Sequence, residues 1–149
     1  MANMSDFLEN ALIDHLFRAT AYTAPATLYI ALSSGTLSDA STGAAMSEVT
    51  GGAYARVSIV SSTANWYSTN GTTSGASSGT GGTTSNVAAI NFPTATADWG
   101  TVQSVAITNA QATGAGNVLF WGPLTSSKVV SNGDTFQFAV GSLSVQIDN

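Results

Sequence analysis

A serine nucleophile needs a base within hydrogen-bond reach, and for its many serines and threonines this sequence offers one histidine, His15. His15 falls in a stretch with helical spacing, and no Gly-x-Ser-x-Gly elbow accompanies it there. It reads as an ordinary residue of a helix surface. One histidine and no cysteine also leave nothing to build a zinc site, a thiolate nucleophile or a disulfide. Glycosidase chemistry needs two carboxyl groups flanking one bond, and Asp98 beside Trp99 is the candidate for one of them. No second acid lies near it in sequence, so Asp98 reads as a turn residue. Asp39, Glu48, Asp134 and Asp148 read the same way. Calcium would want a dense Asp-x-Asp-x-Asp-Gly pattern, which the sequence does not contain. No catalytic residue, cofactor or metal is therefore expected. The aromatics Trp66, Trp99 and Trp121, with Phe120 and Tyr54, would form a carbohydrate platform if exposed. Alternation in the Phe120-Trp121 strand and the Gly after Trp99 favour core or interface packing.

The surroundings of these residues are almost uncharged. Three Lys and Arg against eight Asp and Glu give a net charge of −5, and charged residues make up 7% of the chain. An average soluble domain carries about 25%. Arg18, Arg56 and Lys128 are scattered, whereas phosphate backbones demand clustered cations. Nucleic acid is not an expected partner, and neither is an anionic membrane surface. The opening residues lack the basic start and apolar run of a secretory signal, and no stretch approaches the roughly 18 apolar residues of a membrane helix. Synthesis in a cytoplasm is the expectation.

With 149 residues, one domain over 1–149 is expected, large enough to bury a core without disulfides. Ser5 and Asp6 can cap a helix over about residues 5–18. Met4, Leu8, Leu12 and Leu16 recur along it at helical spacing, a stripe expected to pack on the chain's own domain. Beyond Pro25 the pattern changes to short runs rich in Val, Ile, Phe and Tyr, separated by Gly, Asn, Ser and Thr. The strand candidates are Thr27–Ser33, Ala55–Ser61, Asn86–Phe92, Thr101–Asn109, Asn117–Gly122, Thr135–Val140 and Ser142–Ile147. Period-two alternation assigns Leu28, Ile30, Leu32, Val105, Ile107, Phe136, Phe138, Val145 and Ile147 to a common core. The resulting fold class is mainly β, an antiparallel β-sandwich of jelly-roll type with one N-terminal amphipathic α-helix.

Residues 61–85 break this pattern, because after Tyr67 they contain almost nothing but Gly, Ser and Thr. Such a segment cannot offset its ordering entropy by burial, so it reads as a long loop anchored by Trp66 and Tyr67. Its backbone groups and small side chains could follow a neighbour's contour. The contact candidates are Thr72, Ser74, Gly75, Ser77, Ser78, Gly79, Thr80, Gly81, Gly82, Thr83 and Thr84. The stretch Thr72–Thr84 is expected to be mobile in the isolated chain and to order against a second subunit or a capsid.

Several phrases of the sequence carry a resemblance. Ser5-Asp6-Phe7-Leu8-Glu9-Asn10-Ala11-Leu12-Ile13-Asp14-His15-Leu16-Phe17, the run from Tyr22 to Leu32, Gly52-Ala53-Tyr54-Ala55-Arg56, the run from Phe92 to Gly100 and Gly133-Asp134-Thr135-Phe136 resemble a family of small virion proteins of tailed bacteriophages. It covers nearly the whole chain. The resemblance implies a non-enzymatic structural protein of the virion, made in the host cytoplasm. Its partners would be the phage major capsid protein or other virion proteins, and it would act as a homo-oligomer or in many copies. One small β domain without length for a shaft suits a capsid decoration or cement protein. The alternative is a tail fibre or tail-associated module, one that could bind host-surface carbohydrate.

Overall fold

Ser5 takes up extended backbone, with φ −92° and ψ 159°, and its hydroxyl accepts from the Leu8 N–H at 3.3 Å. That cap starts helix α1, Asp6–Phe17, in the computed structural model, which describes residues 3–147. At the other end the Arg18 N–H reaches the Asp14 carbonyl at 3.1 Å, and Ala19 turns the chain out with φ 56°. Among the described residues, nine strands in antiparallel pairings make up the rest of the regular structure. These are β1 Asn3–Met4, β2 Thr27–Ser33, β3 Val57–Val60, β4 Thr83–Ser85, β5 Ile90–Asn91, β6 Gly100–Thr108, β7 Val118–Val130, β8 Gln137–Phe138 and β9 Ser144–Gln146.

Five of them form one sheet in the order β1-β7-β6-β2-β3, while β4 pairs with β9 and β5 with β8 as two separate ribbons. The sheet contributes Ile30, Leu32, Val102, Val105 and Ile107 to a core completed by Ile90, Phe92, Phe136, Phe138, Leu143 and Val145 of the ribbons and their flanks. The layered antiparallel β fold with one N-terminal helix agrees with the expectation. The second layer is divided between the two ribbons rather than built as one continuous sheet.

The sheet is covered on its other face as well. There Ala31 and Ala106 pack with Leu37, Met46 and Val118, so residues 30–33 of β2 are all buried. Small side chains at Ala31 and Ala106 allow the 34–49 segment to lie close against the backbone. Such burial on both faces is the reason alternation describes only half of this strand.

Several boundaries differ from expectation, each for a local reason. Strand β7 runs on to Val130, past Gly122-Pro123 and the polar run after it, because Gly100, Thr101 and Val102 pair with Val130, Val129 and Lys128. The chain bulges between Pro123 and Lys128, which accommodates the missing proline N–H. The strands expected at Asn86–Phe92 and Thr135–Val140 shrink to the two-residue β5 and β8. Side-chain bonds replace ladder bonds around Asn86, whose amide donates to the carbonyls of Ala88 and Ala139 and accepts from Leu143 N–H. Thr83 and Thr84, expected in the loop, form β4 against Gln146 and Val145. Ile147, expected in the core, is 58% exposed. Its backbone partner is Gly82, which has no side chain to cover it. The remaining members of the expected core are buried or packed against it.

Candidate functional site

The helix departs furthest from its expected packing. Of the stripe Met4, Leu8, Leu12 and Leu16, only Leu8 is buried, and Leu16 is 69% exposed. Ile13, Leu16 and Phe17 stand at i, i+3 and i+4 and form one apolar face on the last turn, with Phe17 81% exposed. The first turn is held to the domain by other means: the Ser5 hydroxyl donates to the Val118 carbonyl, and Trp121 Nε1 donates to the Met4 carbonyl at 3.2 Å. Beyond the helix the chain folds back along it. Tyr22 meets Phe7 edge to face at 6.5 Å, and the Tyr22 N–H donates to His15 Nδ1 at 3.2 Å. His15 thus holds this return segment.

The 61–85 segment divides into three parts. Trp66 packs on the core and bridges to Asn86, and the Tyr67 N–H donates to the Ser85 carbonyl at 2.9 Å. Residues 68–74 fold back on themselves. Thr72 and Ser68 exchange backbone and hydroxyl bonds, and the Thr72 hydroxyl donates to the Ser74 carbonyl at 2.9 Å. Gly75, Ser77, Ser78, Gly79 and Thr80 are exposed, and Gly81 is half-buried. Gly82 and the β4 residues Thr83 and Thr84 are then tied to the C-terminal ribbon. The letters Gly75-Ala76-Ser77-Ser78-Gly79 spell a nucleophile elbow. They lie in an exposed loop rather than at a strand-to-helix turn, and Ser77 Oγ accepts from the Thr69 N–H.

The folded first part and the wall at 72–77 enclose an open groove of about 390 Å3. Trp66, Tyr67, Thr72, Gly75, Ser77 and Thr84 contribute to its lining. Four of the expected contact residues therefore share one concave surface. Ser78, Gly79, Thr80, Gly81, Gly82 and Thr83 do not line it, and neither does Ser74.

A third cluster is buried. Arg56 and Glu48 form an ion pair of 2.7 Å with side chains 0% and 3% exposed. Arg56 donates to both Glu48 oxygens and, through Nη1, to Thr108 Oγ1 and the carbonyls of Ala110 and Ala115. Glu48 also accepts from the Gly114 N–H and from the Tyr54 hydroxyl. Tyr54 in turn accepts from the Leu32 N–H at 2.9 Å. Burial, reinforced by the neighbouring Glu48 carboxylate, pushes the Tyr54 hydroxyl well above its ordinary pKa, against the opposing pull of the Leu32 bond and Arg56. No buried side-chain nitrogen or oxygen of this network lacks a partner, and it clamps the 109–117 turn and the 34–56 segment to the sheet.

Tyr54 links that clamp to a cage of rings. It stacks on Phe92 at 6.2 Å and meets Trp99 edge-on at 5.4 Å, while Phe136 meets Phe92 edge-on at 5.7 Å. Trp99 Nε1 donates to the Gly52 carbonyl at 2.9 Å. Asp98 accepts from the Asn132 N–H at 2.8 Å, so instead of bonding its own turn, as expected, it holds the distant 131–134 turn. The segments Gly52–Arg56, Phe92–Gly100 and Gly133–Phe136, far apart in the chain, are thus one unit in space. A family model described as podophage GP4 fiber I protein gp80 matches residues 3–146. The chain belongs to this fiber I family. That membership bears out the resemblance to phage virion proteins carried by the same segments. No curated protein matches the chain.

In this fiber I family member the three tryptophans do not form one platform. Trp99 is 7% exposed, Trp121 packs beside the Ala31 cluster, and Trp66 lines a groove. Among the described residues no group of three His, Cys, Asp or Glu is arranged to hold a metal ion, and no helix is long and apolar enough to cross a membrane. Sequence reasoning placed Glu48 in a turn and missed the ion pair. Its signal was the scarcity of charge: with three cations in the chain, Arg56 in an apolar strand required a buried acid. The exposed face of α1 was missed because spacing shows that residues are aligned, not what covers them.

Proposed function

We propose that the chain is a non-enzymatic subunit of a phage tail fibre, joined to other virion proteins through the apolar face of its N-terminal helix. The observation that carries this reading is the match over residues 3–146 to a family described as a fibre protein. The exposed Ile13, Leu16 and Phe17 supply an apolar surface whose contact with water is unfavourable in the free chain and is relieved when assembly buries it. The non-enzymatic part is supported by what the ionisable side chains do. His15 accepts from Tyr22, Asp98 from Asn132 and Glu48 from Arg56, so each holds backbone or a structural partner. Partners on this reading are virion proteins and further copies of the chain. Labelling of intact particles with an antibody to the chain, followed by cryo-electron microscopy, tests it. Label on fibres at the tail is the expected result, and label distributed over the head would replace the fibre with a capsid decoration protein.

A further inference from the structure

The groove beside Trp66 brings aromatic rings and many hydroxyls together on one concave surface. Its lining is two aromatic side chains, a glycine and eight Ser or Thr residues, without a charged group. At about 390 Å3 it lies within the size range of small-ligand sites, roughly 300–1,000 Å3. Aromatic faces beside convergent hydroxyls match a pyranose ring, which presents a patch of C–H on one face and hydroxyls around its edge. The hydroxyls have capacity to spare. Ser77 Oγ accepts from Thr69 N–H and Ser62 Oγ from Asn65 Nδ2, and in these contacts neither uses its own proton. Trp66 carries a further unmet requirement: its indole N–H is buried without an acceptor, which ordinarily costs about 1–3 kcal/mol.

Charge narrows the ligand. Of the three cations, Arg56 is sealed in its ion pair and Arg18 pairs with Asp14 on the helix, and none of the three lines the groove. Sugars bearing carboxylate or phosphate would enter with nothing to neutralise them. We propose that this groove is a binding site for a neutral saccharide, with Trp66 and Tyr67 against the ring and Ser and Thr hydroxyls around its edge. The site deepens the fibre reading, which would make a host-surface glycan its ligand, yet its test is independent of where the chain sits in the virion.

The test is a titration of the isolated full chain, followed by amide NMR, with the methyl glycosides of glucose, galactose, mannose and rhamnose. Saturable shifts confined to residues 61–68, 72–77 and 84 are expected with at least one glycoside. Tyr67→Ala should weaken that binding about tenfold while the remaining spectrum stays native. Because Trp66 also supports the core, Ser77→Ala serves as a milder second variant and should weaken binding without loss of stability. A galacturonate should bind more weakly than galactoside. Absence of saturable shifts with all four glycosides, or equal binding by the parent and both variants, would overturn the proposal. Head label in the particle experiment together with groove binding would leave the saccharide site standing and remove only the fibre.

Discussion

Arg56 gives up all contact with water, and the return for that desolvation is five hydrogen bonds, three of them to other segments of backbone and side chain. Removing one member strands the other. Glu48→Gln or Arg56→Met should therefore destabilise the chain by about 3–5 kcal/mol, read by chemical denaturation, and the double replacement should cost less than the sum of the two. Tyr54 belongs to the same network and makes it sensitive to alkali. Its folded pKa lies above the ordinary 10.0 of the unfolded chain, so above that pH the unfolded state binds fewer protons. The stabilisation is complete below pH 10 and declines as pH rises beyond it. Unfolding free energies at increasing pH should fall more steeply in the parent than in Tyr54→Phe, which starts less stable because Leu32 N–H and Glu48 lose a partner. Equal slopes would mean that Tyr54 is not the titrating group. Gly52 is limited by space as well as conformation. A methyl group there would lie 2.8 Å from the Ala97 carbonyl and 2.9 Å from Trp99 Nε1, at φ +53°. Gly52→Ala should loosen the ring cage, visible as a change in near-ultraviolet circular dichroism.

Among the elements, helix α1 and sheet strand β6 should respond in opposite ways to truncation. Ile107 is 2% exposed and sits in the central pairing of β6, so Ile107→Ala should cost about 2–5 kcal/mol. Ile147, three residues beyond the start of β9, should tolerate Ser within about 0.5 kcal/mol. The helix face behaves as a third case. Leu16→Glu with Phe17→Ser should leave the unfolding transition of the isolated chain nearly unchanged, because neither side chain is covered. On the proposed function the same pair of changes should abolish incorporation into particles, measured by the amount of the chain that co-purifies with virions. Normal incorporation would move the attachment surface away from α1.

At the scale of the whole molecule, protection is expected to follow the sheet rather than the chain order. Backbone amides of β2, β6 and β7, in the middle of the five-stranded sheet, should exchange at the global unfolding rate. Thr83, Thr84 and Ser85 should be protected through β9, and residues 75–80 should exchange fast in the isolated chain. Comparison of free chain and intact particles then asks whether the 75–80 stretch orders on assembly. Slowed exchange there in particles would identify it as a contact, and equal fast exchange would leave contact to the helix face.

Local order was legible in the residues themselves. Ser5 and Asp6 marked the helix start, and alternation placed Leu28, Ile30 and Leu32 together. These properties depend on a few neighbouring residues, which is why pattern alone carries them. Partners distant in sequence were not legible. Arg56 and Glu48 are separated by a turn, and the groove joins Trp66 to Thr84. Pattern showed Ile147 in phase with Val145, but only the pairing of its backbone with Gly82 left it bare. It also aligned the apolar residues of α1 without showing that the domain covers Leu8 alone. Exposure is set by which surfaces the whole chain brings against each segment, and only the tertiary structure decides that.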